Sequence, residues 1–276
     1  MDNSIAVPDP QENEKDLRKL LACFLELIGL INQPGRSVDT CLGEALGIPF
    51  KLFHHTGSVL TLLAGTKVLA NSGTYVDHPS VSTLCRAAWE SSLLFRYVAA
   101  PGEMPVERRL RVDTWKHASV LRRLALQGIA DQAEAYQDAI AARDSLRSEL
   151  DKNPAFAAKS PDQRRRLLDE GRWRPGWRKL AELAGVAPRF GTNYYAYLCE
   201  QAHSGYLSVL GLASPPSADE EREFKVVVLG VLCVAVALAV ETFVSAEPSL
   251  GIHRDSRPEW YALSGLWLGA ARGATS

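Results

Sequence analysis

Apolar residues recur along this chain at helical spacing, and no run alternates apolar with polar positions for long enough to make a strand. Leu17, Leu20, Leu21, Phe24, Leu27, Ile28 and Ile31 follow an i, i+3, i+4, i+7 pattern that Asn32-Gln33-Pro34-Gly35 terminates. A second helical stretch is expected over residues 37 to 70, kinked near Gly47-Ile48-Pro49, with a turn at Asn71-Ser72-Gly73. A third runs over residues 79 to 99 and stops before Pro101-Gly102.

The pattern then becomes polar with one apolar stripe through Leu110, Trp115, Leu121 and Leu124, and predicts a single long outer helix over residues 106 to 150. It lacks strict heptads and so is not a coiled coil. Asn153-Pro154 and Ser160-Pro161 punctuate the segment after it. A helix rich in Tyr and His is expected to run to about residue 212, before a Ser-Pro-Pro-Ser loop. A helix over residues 219 to 246 is apolar all round and belongs inside a core. A Trp-rich tail, residues 260 to 267, closes the chain as a short helix. The expectation is one all-α domain, 1–276, built as a single helical bundle of about seven to nine helices. It has a flexible N-terminus at 1–12, a basic Trp-containing connector at 151–189 and a C-terminal extension at 247–276.

Composition narrows the picture. The 276 residues are 46% hydrophobic and 23% charged, which suffices for one sizeable core. A net charge of -1 excludes a global field drawing the protein to nucleic acid or anionic lipid, so such binding needs a local patch. Cys23, Cys41, Cys85, Cys199 and Cys233 form no C-x-x-C pair and lie in apolar segments; they read as reduced, buried thiols of a cytoplasmic protein. The polar start lacks a signal peptide's basic and apolar regions. Residues 226 to 240 are uncharged but fall short of the roughly 20 residues of a spanning helix, so no membrane partner is expected.

Two segments carry candidate chemistry. At 100° per residue Arg86, Glu90, Leu93 and Tyr97 lie within about 60° of one another on an otherwise apolar helix. Charges on such a helix must be paired or hydrogen-bonded, and Arg86 and Glu90 are spaced to pair with each other. They form either a structural ion pair or the wall of a pocket. On the later helix Tyr197, Glu200 and His203, at i, i+3 and i+6, sweep about 120°. His203 is there a satisfied core histidine, a general acid-base tuned by a carboxylate, or half of a Glu-x-x-His di-metal site completed by Glu90, Glu241 and His54 or His55. Between these segments Lys159, Arg164, Arg165, Arg166, Arg172, Arg174, Arg178, Lys179 and Arg189 surround four acids, with Trp173 and Trp177 interleaved. That is either a solvated face or a phosphate-binding surface with stacking rings.

The order of these segments resembles a group of uncharacterised bacterial all-helical proteins related to the HEPN (higher eukaryotes and prokaryotes nucleotide-binding) superfamily. The resemblance covers about residues 40 to 245. It rests on Arg86, Glu90 and Tyr97, the long charged helix, Trp177-Arg178-Lys179-Leu180-Ala181, and Tyr197 followed by His203-Ser204-Gly205. It implies an up-down helical bundle, often a homodimer, and for many members a metal-independent ribonuclease of defence or toxin systems; others are binding modules. Active members carry Arg-x(4–6)-His, which Arg111 and His117 match here. The expected protein is therefore nucleotide- or RNA-associated, through the basic segment 164–189, and uses no cofactor or metal. Its site is Arg86, Glu90, Tyr97, Tyr197, Glu200 and His203, with Arg111 and His117 as a second set. The alternatives are a non-catalytic binding or scaffold module, in which the same polar residues are structural, and a di-metal carboxylate oxidase.

Overall fold

The computed structural model describes residues 9–36, 38–67, 73–99, 101–126, 133–203, 209 and 216–273. Among them all regular structure is helical apart from one antiparallel bridge between Thr66 and Tyr75. Helix α11 (Ala218–Ala246) is the axis of the molecule. Its start is fixed by a capping box, in which the Ser217 side chain and Glu220 satisfy each other's backbone donors. Asp219, Glu220 and Glu221 complement the dipole of the first turn. From Val231 to Val240 every residue is buried, so the helix needs apolar partners on all sides. It is long and apolar enough to cross a membrane, and 83% of its most apolar window is buried within the fold.

Three helices supply those partners. α1 (Pro10–Ile31) presents the predicted stripe, with Phe24 against Phe243 at 5.7 Å between ring centroids. α4 (His78–Ala99) packs Phe95 on the same Phe243 at 4.7 Å and stacks His78 on Phe224 at 4.0 Å. Burying rings of this size contributes about 2 kcal/mol each. α13 (Pro258–Arg272) closes the third side, its Ser264 hydroxyl donating to Ala237 O at 3.2 Å. The C-terminal segment is therefore tied into the main core through Leu250, Leu268 and Ala271, while the short α12 (Gly251–Ser256) buries no residue. At the other end α1 already begins at Pro10, capped by Asp9, inside the stretch expected to be flexible.

The second predicted stretch divides at its expected kink into α2 (Thr40–Ala45) and α3 (Gly47–Leu63), and α3 covers α4. The long charged helix is two helices, α5 (Pro105–Leu124) and α6 (Ala133–Lys152), folded back on each other. The antiparallel sense follows from Asn153, whose amide donates to Val106 O at 3.0 Å. A single helix of that length would leave its apolar stripe in water, and folding back buries Leu110 and Leu150 together with Phe156 of α7 (Pro154–Ala157). The basic connector is helical too, as α8 (Pro161–Leu168) and α9 (Trp177–Leu183). Short helices of this kind raise the total above seven to nine, although the seven helices of fifteen residues or more carry the architecture among the described residues.

Candidate functional site

A π-helical turn positions the site. Arg189–Tyr194 adopts i→i+5 geometry and leads directly into α10 (Tyr195–Ala202), whereas helical periodicity predicted an uninterrupted α-helix. The turn lies close on α9: a Cβ added at Gly191 would stand 2.7 Å from the Cβ of Ala181, so only glycine fits. α10 then packs along α4. It is shorter than predicted, and His203 is its C-cap with non-helical backbone (φ -108, ψ 21). Ser204 and Gly205 lie outside the described residues.

Two ladders of i, i+4 residues face one another across this contact. Arg86 and Glu90 stand on α4; Tyr195, Cys199 and His203 stand at successive fourth positions opposite. The Tyr195 phenol donates to Glu90 Oε1 at 2.9 Å, and Arg86 Nε lies 3.4 Å from the same oxygen. Arg86 Nη1 donates to His203 Nε2 and meets the Cys199 thiol at 3.8 Å. A guanidinium only donates, so His203 accepts at Nε2 and its neutral form carries the proton on Nδ1. The Arg86 and Glu90 side chains are 23% and 21% exposed, and His203 opens to solvent. Burial, then the hydrogen bond to Glu90, pushes the Tyr195 phenol above its ordinary pKa.

A second arginine joins from the connector. Arg174 lies 3.7 Å over the ring of Trp177 and donates to Pro175 O. Burial lowers its pKa; Glu90 opposes that shift and Arg122 of α5 adds to it. Arg122 is exposed and forms no ion pair among the described residues. Arg174 thus feels both the carboxylate of the Arg86–Glu90 pair and the charge of Arg122.

The other predicted residues go elsewhere. Tyr97 shares the face of Glu90 but lies two turns on, where α10 has ended; it packs against Trp173 and under Arg111, 4.5 Å from the ring centroid. Tyr197 is turned toward Glu223 of α11, whose charge adds to the rise in its pKa caused chiefly by burial. Glu200 is exposed and forms no hydrogen bond or ion pair among the described residues. Six residues place Arg111 and His117 on different sides of α5. Arg111 binds Glu103 at 2.7 Å, whereas His117 is fully buried beside Arg147 and Arg143 of α6 with both ring nitrogens unpaired. They form no dyad. Sequence reasoning missed Tyr195 and Cys199, although their i, i+4, i+8 spacing with His203 spans only about 80° of helix surface, narrower than the i, i+3, i+6 stripe. Cys199 is also the exception to the expectation of buried thiols, being half-buried while the other four are buried.

Five of the connector's nine bases share three of its four carboxylates, so the segment stays net basic with its charge partly paired. Arg165 and Arg166 pair with Asp162, Arg172 with Glu170, and Arg178 and Lys179 with Glu182. Trp173, 5% exposed, packs between Tyr97 and Trp115 and offers no stacking face. The di-metal arrangement does not assemble either: Glu241 binds Arg272 at 2.7 Å, Glu90 binds Tyr195, and no group of three or more His, Cys, Asp or Glu suited to a metal occurs among the described residues. No family model, curated protein or solved structure matches this chain.

Proposed function

We propose that this chain is a nucleotide- or RNA-associated helical protein of the HEPN-like kind, in which the α4–α10 ladder binds a phosphate-bearing ligand and Arg111 and His117 perform no ribonuclease chemistry. The observation that carries this reading is Arg174, partly desolvated and without an ion pair of its own among the described residues, within electrostatic reach of the Arg86–Glu90 pair and of the exposed Arg122. Arginines that lack their own carboxylates are preorganised for bidentate phosphate contacts, and the desolvated Arg174 gains most from an anion. Glu90 orients Arg86, Tyr195 and His203 add neutral hydrogen-bonding groups, and Trp177 lies beside them as an aromatic face. The basic segment contributes through Arg174 and not as a continuous surface.

Titration of the protein with nucleoside monophosphates and single-stranded RNA tests this. Binding weakens steeply with salt, and Arg174→Ala or Arg86→Met lowers it at least tenfold, a loss of about 1.4 kcal/mol. Arg178→Ala, whose exposed side chain pairs with Glu182 away from the ladder, leaves it unchanged. Equal affinity in all four proteins rejects the site. RNA incubated in EDTA remains intact; cleavage abolished by His117→Leu would restore the ribonuclease reading.

The low exposure of Arg86 and Glu90 and their mutual bonding favour a second reading, in which the ladder is a structural strap holding α10 on α4. His203→Ala separates the two. A strap loses thermal stability, whereas a ligand site loses affinity at an unchanged melting temperature.

A further inference from the structure

Where α1, α12 and α13 meet, four titratable side chains are joined in a row. Glu26 Oε2 of α1 lies 3.0 Å from His253 Nε2 of α12, and His253 Nδ1 lies 2.7 Å from the Tyr261 phenol oxygen of α13. The Cys23 thiol, one turn before Glu26 on α1, is hydrogen-bonded to the same phenol. An ionised carboxylate only accepts, so Nε2 carries the proton of the neutral ring and Nδ1 turns its lone pair to the phenol. Tyr261 therefore donates to His253, which Glu26 holds in the one tautomer able to take the phenolic proton. We propose that Tyr261 is a redox-active tyrosine: it gives one electron to a high-potential metal complex at the protein surface, and its proton moves to His253 Nδ1.

A hydroxyl, a base and an orienting carboxylate are also the parts of a group-transfer site. Here the phenol oxygen is enclosed. Cys23 is fully buried, the His253 side chain is 10% exposed, and Tyr261 lines neither of the grooves that open beside Trp260. A substrate atom has no path to the oxygen, whereas an electron crosses packed protein and the proton needs only its 2.7 Å bond. Burial pushes the Tyr261 phenol up and the Cys23 thiol to about 12, so both stay protonated at neutral pH. Removing an electron from a phenol that kept its proton would strand a positive charge in an apolar setting, and a base at hydrogen-bond distance prevents this.

The step balances. The phenolic O–H bond breaks, the electron reduces the metal complex by one unit, and the proton forms the second N–H bond of a histidinium, leaving a neutral phenoxyl. The new charge rests against Glu26, which Arg257 also approaches, at 3.9 Å. Arg254 stands near the phenol and disfavours a cation there. Trp260 supplies the way out for the electron. It adjoins Tyr261 in sequence, its ring lies 6.2 Å from that of His253, and it lines both grooves between α1 and α13. This junction is separate from the α4–α10 ladder, so either reading can fail alone.

Flash photolysis of the full chain with a ruthenium polypyridyl complex and a sacrificial electron acceptor tests this, read by optical absorption and electron paramagnetic resonance. A persistent tyrosyl radical forms in the wild type and is lost in Tyr261→Phe, although seven of the eight tyrosines remain. His253→Gln slows its formation about a hundredfold, the low end of what a positioned base contributes to proton transfer. Glu26→Gln, at an exposed side chain whose exchange leaves the packing in place, slows it in the same direction. The wild-type rate falls in D2O, and Trp260→Leu lowers the radical's yield. A network that merely fastens α12 and α13 to α1 would lower the melting temperature in these variants and leave the rate of radical formation alone. No persistent radical in the wild type overturns the proposal. So does one that survives Tyr261→Phe, or a rate indifferent to both His253→Gln and Glu26→Gln.

Discussion

Glu90 accepts one hydrogen bond from the Tyr195 phenol at 2.9 Å and an ionic contact from Arg86 at 3.4 Å, so its two partners are separable by substitution. Tyr195→Phe removes the donor while keeping the ring. A hydrogen bond to a charged group contributes about 1.5–3 kcal/mol when buried; discounted for partial exposure, the expected loss is about 1 kcal/mol. Combined with Glu90→Gln the effects are non-additive by about 0.5 kcal/mol or more in urea denaturation; simple additivity would show the two side chains to be energetically independent. The α4 half of this pair was legible in the sequence because charges four apart on an apolar helix demand a partner. The α10 half was not. Tyrosines at 194, 195 and 197 offer several registers, and helical spacing alone does not choose among them. Tyr97 misled for a related reason: seven residues restore its angle to Glu90 but carry it about 10 Å along the axis, past the end of its neighbour.

At the scale of elements, the register of α10 is set by the π-turn before it, and the π-turn by the closeness of Gly191 to Ala181. Gly191→Ala forces a methyl into a 2.7 Å gap and should cost about 1–3 kcal/mol, the range of core overpacking. It should also weaken ligand binding, since α10 cannot shift without moving Tyr195 and His203. A variant with unchanged unfolding midpoint would mean that α9 yields freely and that the turn does not fix the ladder. No residue pattern announces a π-turn, because its residues are compatible with an ordinary helix and the extra residue is imposed by packing. The division of the long charged helix was hidden similarly. Both halves keep helical spacing, and what folds them back is the gain from burying Leu110 and Leu150 against each other, a tertiary effect. α1 was legible because its apolar residues fall on one regular stripe, and α11 because its long apolar stretch is buried on every side. The outward face of α13 was present in the sequence as an uncharged run, but which of its residues face outward emerges only once Ser264 and Leu268 are seated on α11.

Of the imidazoles among the described residues, His117 is fully buried and His55 and His78 are half-buried, and these three govern the response of the whole molecule to acid. His55, His78 and His117 are all held below the ordinary histidine pKa, in each case chiefly by burial. Lys51 adds to the shift at His55, and Arg147 and Arg143 add to it at His117, while Glu221 and Asp77 oppose it at His78. Each ring also has a buried nitrogen without a hydrogen-bond partner. In the unfolded chain all three titrate near pH 6.5. Because the folded values are lower, the unfolded state binds more protons as pH falls below that point. Stability is therefore complete above about pH 6.5 and declines as pH descends toward the folded pKa values. Three such groups set a limiting slope of about 4 kcal/mol per pH unit. Glu44, held below the usual carboxylate range by its hydrogen bond from Arg109, with Lys116 adding, contributes a separate loss at lower pH, as it approaches its unfolded pKa and then its folded one. Melting temperature should then be level from about pH 8 to 7 and fall from about 6.5 downward, before carboxylates titrate. His117→Leu isolates one contribution. It replaces a fully buried ring bearing two unpaired nitrogens with an apolar side chain of similar size, so it should leave stability at neutral pH unchanged or raised. It should also reduce the acid slope by up to about 1.4 kcal/mol per pH unit. A variant destabilised at neutral pH with its acid slope intact would mean that His117 is bonded and protonatable in the fold, the state an acid-base role for it would require.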